Sequence, residues 1–346
     1  MKHGGDLLTY ENHYEGELVD FSSNINPLGT PKGLNKALIE GFDTLTAYPD
    51  IKYRKLKSAV KDYLNCKTEN VLVGNGAVEI INNFIIEAKK IVVMTPAFSE
   101  YEERAKVHSK EIRKISYKDD FSIDMAALQT IDEDELLILG NPNNPTALRI
   151  SRSQLLEIYE IVKMKKAFLL LDEAFFEFCP EDYDSIELFK EDGYRNVAII
   201  RAATKFFALP GIRLGYCCTS CEKVEEISRI ELPWSVNSLA DIAGQYIFND
   251  DEYIKESKEY IDRERRYLLQ GLSKIDGIKV YDSHTNYILI KLLEHNEDYA
   301  FKYFLQNGIV IRKCSSFVEL GYNHIRVAIK DRENNDRLLN AFRQYR

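Results

Sequence analysis

The sequence predicts an α/β fold, with a large, mainly parallel, doubly wound sheet followed by a smaller α+β C-terminal unit. Three observations carry that expectation. Apolar runs of strand length alternate with helical stretches from about residue 70 to 220, as in parallel strands joined by helical crossovers. Polar residues close several of those runs, at the strand ends where ligands collect in such sheets. After Pro233-Trp-Ser-Val-Asn237 the pattern changes to a long charged helical region and then to short strands. The expected organisation is an arm over 1–30, a large unit over 31–237 and a small unit over 238–346.

Composition excludes several classes. The 346 residues are 45% hydrophobic with charges interspersed, enough for a sizeable core. With 46 basic against 55 acidic residues the net charge is −9, which argues against a nucleic-acid footprint. No apolar run is long enough to span a bilayer, and Met1-Lys-His-Gly-Gly-Asp6 does not resemble a signal peptide, so a cytoplasmic protein is expected. Six cysteines in a chain of this length do not make a disulfide framework. Cys218-Thr-Ser-Cys221 has the spacing of half a zinc site but no second pair nearby, so no metal is expected.

The elements follow in order. Asp20-Phe-Ser-Ser-Asn-Ile-Asn-Pro-Leu-Gly29 is rich in turn chemistry and reads as part of an arm. Pro31 to Phe42 reads as a short helix with proline near its start. Lys55 to Leu64 carries Leu56, Ala59, Val60, Tyr63 and Leu64 at helical spacing, just after Tyr48-Pro-Asp50. Val71-Leu-Val-Gly-Asn-Gly-Ala-Val-Glu79 is a strand, a glycine turn and a helix start, where the amides of Gly76, Ala77 and Val78 can hold a phosphate. Strands are expected over Lys90 to Thr95 and Lys110 to Ser116, and in runs ending at Asn141, Asp172 and Arg201. A helix is expected over Ser153 to Met164. In the C-terminal part, strands are expected at Ile278 to Tyr281, Tyr287 to Lys291, Ile309 to Arg312 and His324 to Ala328. Arg312 and Arg326 fall on these half-buried strands, where an arginine needs an anionic partner.

The chemistry concentrates at three strand ends. Lys205 follows the apolar run Val197-Ala-Ile-Ile200, with Thr204 beside it and Arg213 after a Pro210-Gly211 turn. A lysine so placed suits a carbonyl cofactor that also carries phosphate: the amine forms an imine, and Thr204 and Arg213 hold phosphate oxygens. Asp172 closes Ala167-Phe-Leu-Leu-Leu171, and Asn144 stands in Asn141-Pro-Asn-Asn-Pro-Thr146 after another strand. An aspartate facing a pyridine nitrogen and an imine-forming lysine are what pyridoxal phosphate requires.

The ordered set Asn141-Pro-Asn-Asn-Pro-Thr146, Asp172-Glu-Ala-Phe175, Thr204-Lys205 and Arg213-Leu-Gly215 resembles the fold type I pyridoxal-phosphate enzymes of aminotransferase class I/II, over nearly the whole chain. Within them it is most similar to the threonine-phosphate decarboxylases of cobalamin biosynthesis, with the histidinol-phosphate aminotransferases as relatives. The opening His3-Gly-Gly5, Pro233-Trp-Ser-Val-Asn237 and Ile311-Arg-Lys-Cys314 favour the decarboxylases.

That resemblance implies a fold and a set of roles. Lys205 carries the cofactor, Asp172 tunes it and Phe98 stacks on its ring. Tyr48 reaches the cofactor phosphate across a homodimer interface. His3, Asn24, Asn144, Arg312 and Arg326 bind a phosphorylated amino-acid substrate. Phe175 stands where many aminotransferases have a tyrosine, which leaves Asn144 as the donor to the cofactor's phenolic oxygen. Ala202 stands where relatives often carry serine. The expected reaction is decarboxylation of L-threonine O-3-phosphate to 1-amino-2-propanol O-phosphate. Transamination of histidinol phosphate with 2-oxoglutarate stays open, as does the division of phosphate and carboxylate between the two arginines. A regulator that keeps the fold without the chemistry is disfavoured, because Lys205 and Asp172 are both present and no DNA-binding segment is attached.

Overall fold

A strand that is apolar on both faces must be covered on both faces, and the central strands of this protein are of that kind. The computed structural model describes residues 4–345. Its large sheet has seven strands: β1 (Val71–Gly74), β2 (Lys90–Thr95), β3 (Glu111–Ser116), β4 (Glu135–Gly140), β5 (Phe168–Asp172), β6 (Val197–Ala202) and β7 (Gly215–Thr219). They lie in the order β1-β7-β6-β5-β4-β2-β3, and β7 alone runs against the others. Successive side chains go to opposite layers. Ile138, Leu170 and Ile200 enter one core, while Leu137, Leu139, Leu171 and Ile199 enter the other. The predicted α/β architecture is the observed one.

The helices follow from local chemistry. Arg54–Leu64 buries Leu56, Val60 and Leu64, one residue per turn of a single face. Ser151 caps Arg152–Met164 by accepting from the Gln154 amide, and Asp250 caps Asp251–Leu272 by accepting from the Tyr253 amide. The helix expected from Pro31 is shorter, Leu34–Glu40, and Phe42–Thr46 continues as a 3₁₀ turn.

The C-terminal part holds a four-stranded antiparallel sheet of β8 (Ile278–Val280), β9 (Tyr287–Leu292), β10 (Arg312–Lys313) and β11 (His324–Ala328), in the order β10-β11-β9-β8. One expectation needs correcting here. The run Ile309 to Arg312 is not a single strand. Ile309–Val310 pairs in parallel with Val19–Asp20 of the N-terminal arm, whereas Arg312–Lys313 pairs with β11. The chain changes sheets at the buried Ile311, and both halves find backbone partners that one straight strand could not reach. This break sets Arg312 opposite Arg326.

Strand β7 lies close to the turn that precedes Ala77–Glu87, and a glycine permits it. A Cβ on Gly215 would come within 2.4 Å of the Ala77 nitrogen and 2.5 Å of the Gly76 carbonyl carbon. Gly215→Ala must therefore push β7 away from the turn, and overpacking of this kind costs about 1–3 kcal/mol. Urea unfolding measures that loss; a variant as stable as the parent would show that the contact yields freely.

Candidate active site

The parallel strands β4, β5 and β6 end side by side, with Gly140 in register with Asp172 and Asp172 with Ile200. A cavity of about 250 Å³ opens at these ends, between the large sheet, the arm and the small sheet. Asp172, Asn144, Thr204 and Lys205 all line it, as their places after strand-like runs predict. The opposite wall comes from Arg312, Arg326 and Asn24.

Asp172 forms part of the inner wall. The Tyr101 hydroxyl donates to its Oδ2 at 2.6 Å and the Ala174 amide to its Oδ1 at 3.0 Å. Burial pushes the carboxyl up from its ordinary value, and these two donors oppose that shift by favouring the charged form. Phe98 lines the cavity one helical turn before Tyr101, and the two rings meet edge to face at 5.7 Å. Phe175 also lines it and packs against Tyr287 with centroids 5.0 Å apart.

Lys205 sits on a loop held by the arm. Its carbonyl accepts from the Asn26 amide at 3.0 Å. The Asn26 side chain in turn donates to the Phe206 carbonyl at 2.8 Å and to Ser257 Oγ at 2.9 Å on the long helix. Burial first, and then the charges of Arg326 and Arg213, depress the Lys205 amine to about 8. A neutral, nucleophilic amine is therefore accessible near physiological pH.

Next to it lies an anion cradle. Ala77 and Val78 line the cavity at the N-terminus of the helix Ala77–Glu87, whose first amides and dipole favour negative charge. Gly76 has φ +83, and a Cβ there would lie 2.3 Å from Arg213 Nη2. Only glycine lets that guanidinium rest on the turn. Thr204 and Arg213 line the same cavity.

The second cationic group comes from the small sheet. Arg312 and Arg326 are cross-strand partners, both buried. Arg326 donates to Asn144 Oδ1 and, at 3.1 Å, to the Ser22 carbonyl, while its Nε is buried with no partner among the described residues. Arg312 donates to Ser316 Oγ at 2.8 Å. Burial and the mutual repulsion with Arg326 lower Arg312 to about 10. The Oδ1 of Asn24, on the same wall, is buried with no partner among the described residues. Because Asn144 Oδ1 is taken by Arg326, its amide nitrogen is the end left to donate.

Among the described residues, neither Tyr48 nor Gly76 is part of the cavity lining. Tyr48 is 81% exposed and packs against Trp234 with centroids 4.6 Å apart. His3 lies outside the described residues. Sequence reasoning missed Tyr101, Ser22 and Asn26. Tyr101 had a usable signal, since a residue three past Phe98 at a helix start shares its face. Ser22 and Asn26 act through backbone contacts with distant elements, which no local pattern announces.

The depressed lysine makes a stability prediction. Its folded value lies below the ordinary 10.5, so the unfolded chain binds more protons across that window and stability rises with pH from about 8 upward. Below about pH 8 the burial of the charge costs on the order of 2–3 kcal/mol. Ligand-free Lys205→Met should therefore exceed the parent in stability at neutral pH, with the gain vanishing near the unfolded lysine value. Urea unfolding across pH tests this, and equal stabilities at neutral pH would refute a desolvated amine.

Comparison with known proteins agrees with this geometry. The profile of the family "Aminotransferase class I and II" matches residues 16–342. A protein of Caldanaerobacter subterraneus subsp. tengcongensis, provisionally named threonine-phosphate decarboxylase, is 39% identical over 99% of this chain and 96% of its own. Threonine-phosphate decarboxylase of Salmonella typhimurium is 33% identical over 99% of this chain and 95% of its own. The crystal structure of histidinol-phosphate aminotransferase from Clostridium acetobutylicum superposes with a TM-score of 0.89 at 35% identity, covering 94% of this chain and 98% of that one. The cavity at the strand ends thus lies in a chain that belongs to the class I and II aminotransferase family.

Proposed function

We propose that this enzyme uses pyridoxal phosphate to decarboxylate L-threonine O-3-phosphate, giving (R)-1-amino-2-propanol O-2-phosphate. The observation that carries the reading is the pairing of Arg312 with Arg326 on the wall facing Lys205 and Asp172. Two buried guanidinium groups side by side call for a ligand with two anionic ends, and this substrate has a carboxylate and a phosphate. Relatives named for that reaction span nearly the whole chain.

The residues present fit the cofactor. The glycine turn with Arg213 and Thr204 suits its phosphate, and Asp172, a buried carboxyl with donors on both oxygens, suits a ring nitrogen. The Asn144 amide can donate to its phenolic oxygen, and Phe98 can cover one ring face. Bound there, pyridoxal phosphate supplies an electron-withdrawing ring that accepts the electron pair left when a bond to the substrate's α-carbon breaks.

The chain's own groups then do the rest. Lys205 would hold the cofactor through its carbonyl carbon, and its amine would be placed to deliver the proton that replaces the departing carboxylate. The arginines choose the reaction. By fixing the direction of the substrate carboxylate, Arg312 and Arg326 would decide whether carbon dioxide or the α-proton is lost. Residues 31–237 hold the cofactor in this reading, 238–346 supply the arginines, and the arm closes between them.

The histidinol-phosphate aminotransferases are the second reading, favoured by the likeness to the Clostridium acetobutylicum structure. The same arginines could take the phosphate of histidinol phosphate and then the carboxylates of 2-oxoglutarate. Purified holoenzyme should release carbon dioxide from L-threonine phosphate and form no glutamate from histidinol phosphate plus 2-oxoglutarate. Glutamate without carbon dioxide would overturn the decarboxylase reading.

The working unit in this reading is a homodimer with shared sites. Tyr48 is strongly exposed and packs on the exposed Trp234, and Phe42, Leu45 and Ile51 in the same stretch of sequence are exposed too, apolar side chains suited to a second copy. Light scattering should give twice the chain mass, and a fully active monomer would refute the dimer.

A further inference from the structure

The hydrogen bond from Tyr101 to Asp172 has no role in the chemistry described so far. Tyr101 is 2% exposed, on the helix Glu100–Val107 that follows β2, and Asp172 ends β5, two strands away in the sheet. The helix thus reaches across the end of β4 to place a phenol on a carboxylate. Burial lifts the Tyr101 hydroxyl well above the usual tyrosine range, so it keeps its proton and is always the donor. Each Asp172 oxygen therefore has one fixed donor, Tyr101 on Oδ2 and the Ala174 amide on Oδ1. The carboxylate is held in one orientation, with its remaining lone pairs available to the cavity it lines.

We infer that Tyr101 is a positioning residue: its phenol keeps the Asp172 carboxylate ionised and oriented to hold a proton on the ring nitrogen of a pyridine cofactor. A buried carboxylate with an oxygen unpartnered would tend to protonate instead. A protonated Asp172 could still donate to a neutral ring nitrogen, but it would stabilise no charge there. Tyr101 acts a second time through Phe98, since the orthogonal contact of the two rings fixes the aromatic that faces the cavity. One side chain thus supports both the edge and the face of the cofactor's place.

The inference rests on the proposed cofactor but not on which reaction follows. Its test reads the cofactor directly, in holoenzyme loaded with pyridoxal phosphate labelled with ¹⁵N in the ring. In the parent, the nitrogen should resonate as a protonated pyridinium. Tyr101→Phe should move it toward the unprotonated value and weaken cofactor binding about tenfold, the scale of one hydrogen bond to a charged group. In an Asp172→Asn background the same substitution should change neither quantity, because the group it acts through has lost its charge. An equal loss in both backgrounds would reduce Tyr101 to packing and overturn the inference. An unmoved nitrogen signal with unchanged affinity would overturn it too. If Tyr101→Phe does not fold, Tyr101→Gln and Tyr101→Leu replace it: the donor-bearing glutamine should keep the pyridinium signal that leucine loses, and identical signals would sink the idea. A parent that binds no pyridoxal phosphate would instead defeat the functional reading itself.

Discussion

The geometry of the cavity depends on a buried ion pair that never touches it. Glu173 follows Asp172, and its side chain takes the other side of the chain. Its Oε2 accepts from Arg201 Nε at 3.1 Å and Nη2 at 3.0 Å, and its Oε1 from Asn141 Nδ2 at 3.2 Å. Arg201 also bonds Asp184 at 2.6 Å and lies 3.5 Å from the centroid of Phe176. Asn141, Glu173 and Arg201 belong to the ends of β4, β5 and β6, so this network ties together the three ends that carry Asn144, Asp172 and Lys205. Breaking such a pair by removing one partner strands a buried charge and costs about 3–5 kcal/mol. The strands are therefore fixed at the point where small shifts in position matter most for chemistry.

Much of this was legible in the sequence because strand ends are local signals. An apolar run closed by a polar residue marks both the strand and its mouth, which is why Asp172, Asn144 and Lys205 could be placed at one edge before any contact was known. The glycine turn before Ala77 was legible for a similar reason. Contacts between distant segments were not. The carbonyl of Ser22 receives Arg326, 304 residues on, and Asn26 holds the Lys205 loop from 179 positions away (205 − 26). The split of the strand at Ile311 was hidden too, since Ile309–Val310 and Arg312–Lys313 run on without a break signal and only their partners differ. Tyr101 lay between these cases, with its face predictable from spacing and its target visible only in three dimensions.

The arm explains how a small sheet and a large one come to share a ligand. Asp20 accepts from the Ser22 amide at 2.8 Å and the Ser22 hydroxyl at 2.6 Å, and the Ser23 hydroxyl also donates to it. This tight turn presents the Ser22 carbonyl to Arg326 and the Asn24 side chain to the cavity. The Asn24 carbonyl is meanwhile held by Asn286 Nδ2 at 2.9 Å, beside β9. A segment with little regular structure is thus pinned because several of its polar groups bond to elements around both sheets at once. Its turn-rich composition reflects a need for sharp bends in a buried place.

Electrostatics give the last step. Lys205, Arg312 and Arg326 all have lowered proton affinity in the ligand-free protein, each first through burial. Asp20 pulls against that trend for Lys205 and Arg326, but it lies behind the turn of Ser22 and Ser23, which occupy its oxygens. The cavity is consequently a place where positive charge is under-compensated and anions gain more than they would at the surface. This field alone does not select a reaction, since an amino-acid phosphate and a dicarboxylate both answer it. Selection must come from direction. Arg326 is fixed by Asn144 and the Ser22 carbonyl, and Arg312 by Ser316, so the two guanidinium groups form a rigid pair rather than a flexible patch. A rigid pair can hold a two-ended anion in one orientation inside the cavity that Asp172 and Phe98 also line. A fixed orientation of this kind is a physical means by which one fold can serve relatives named as a decarboxylase and as an aminotransferase.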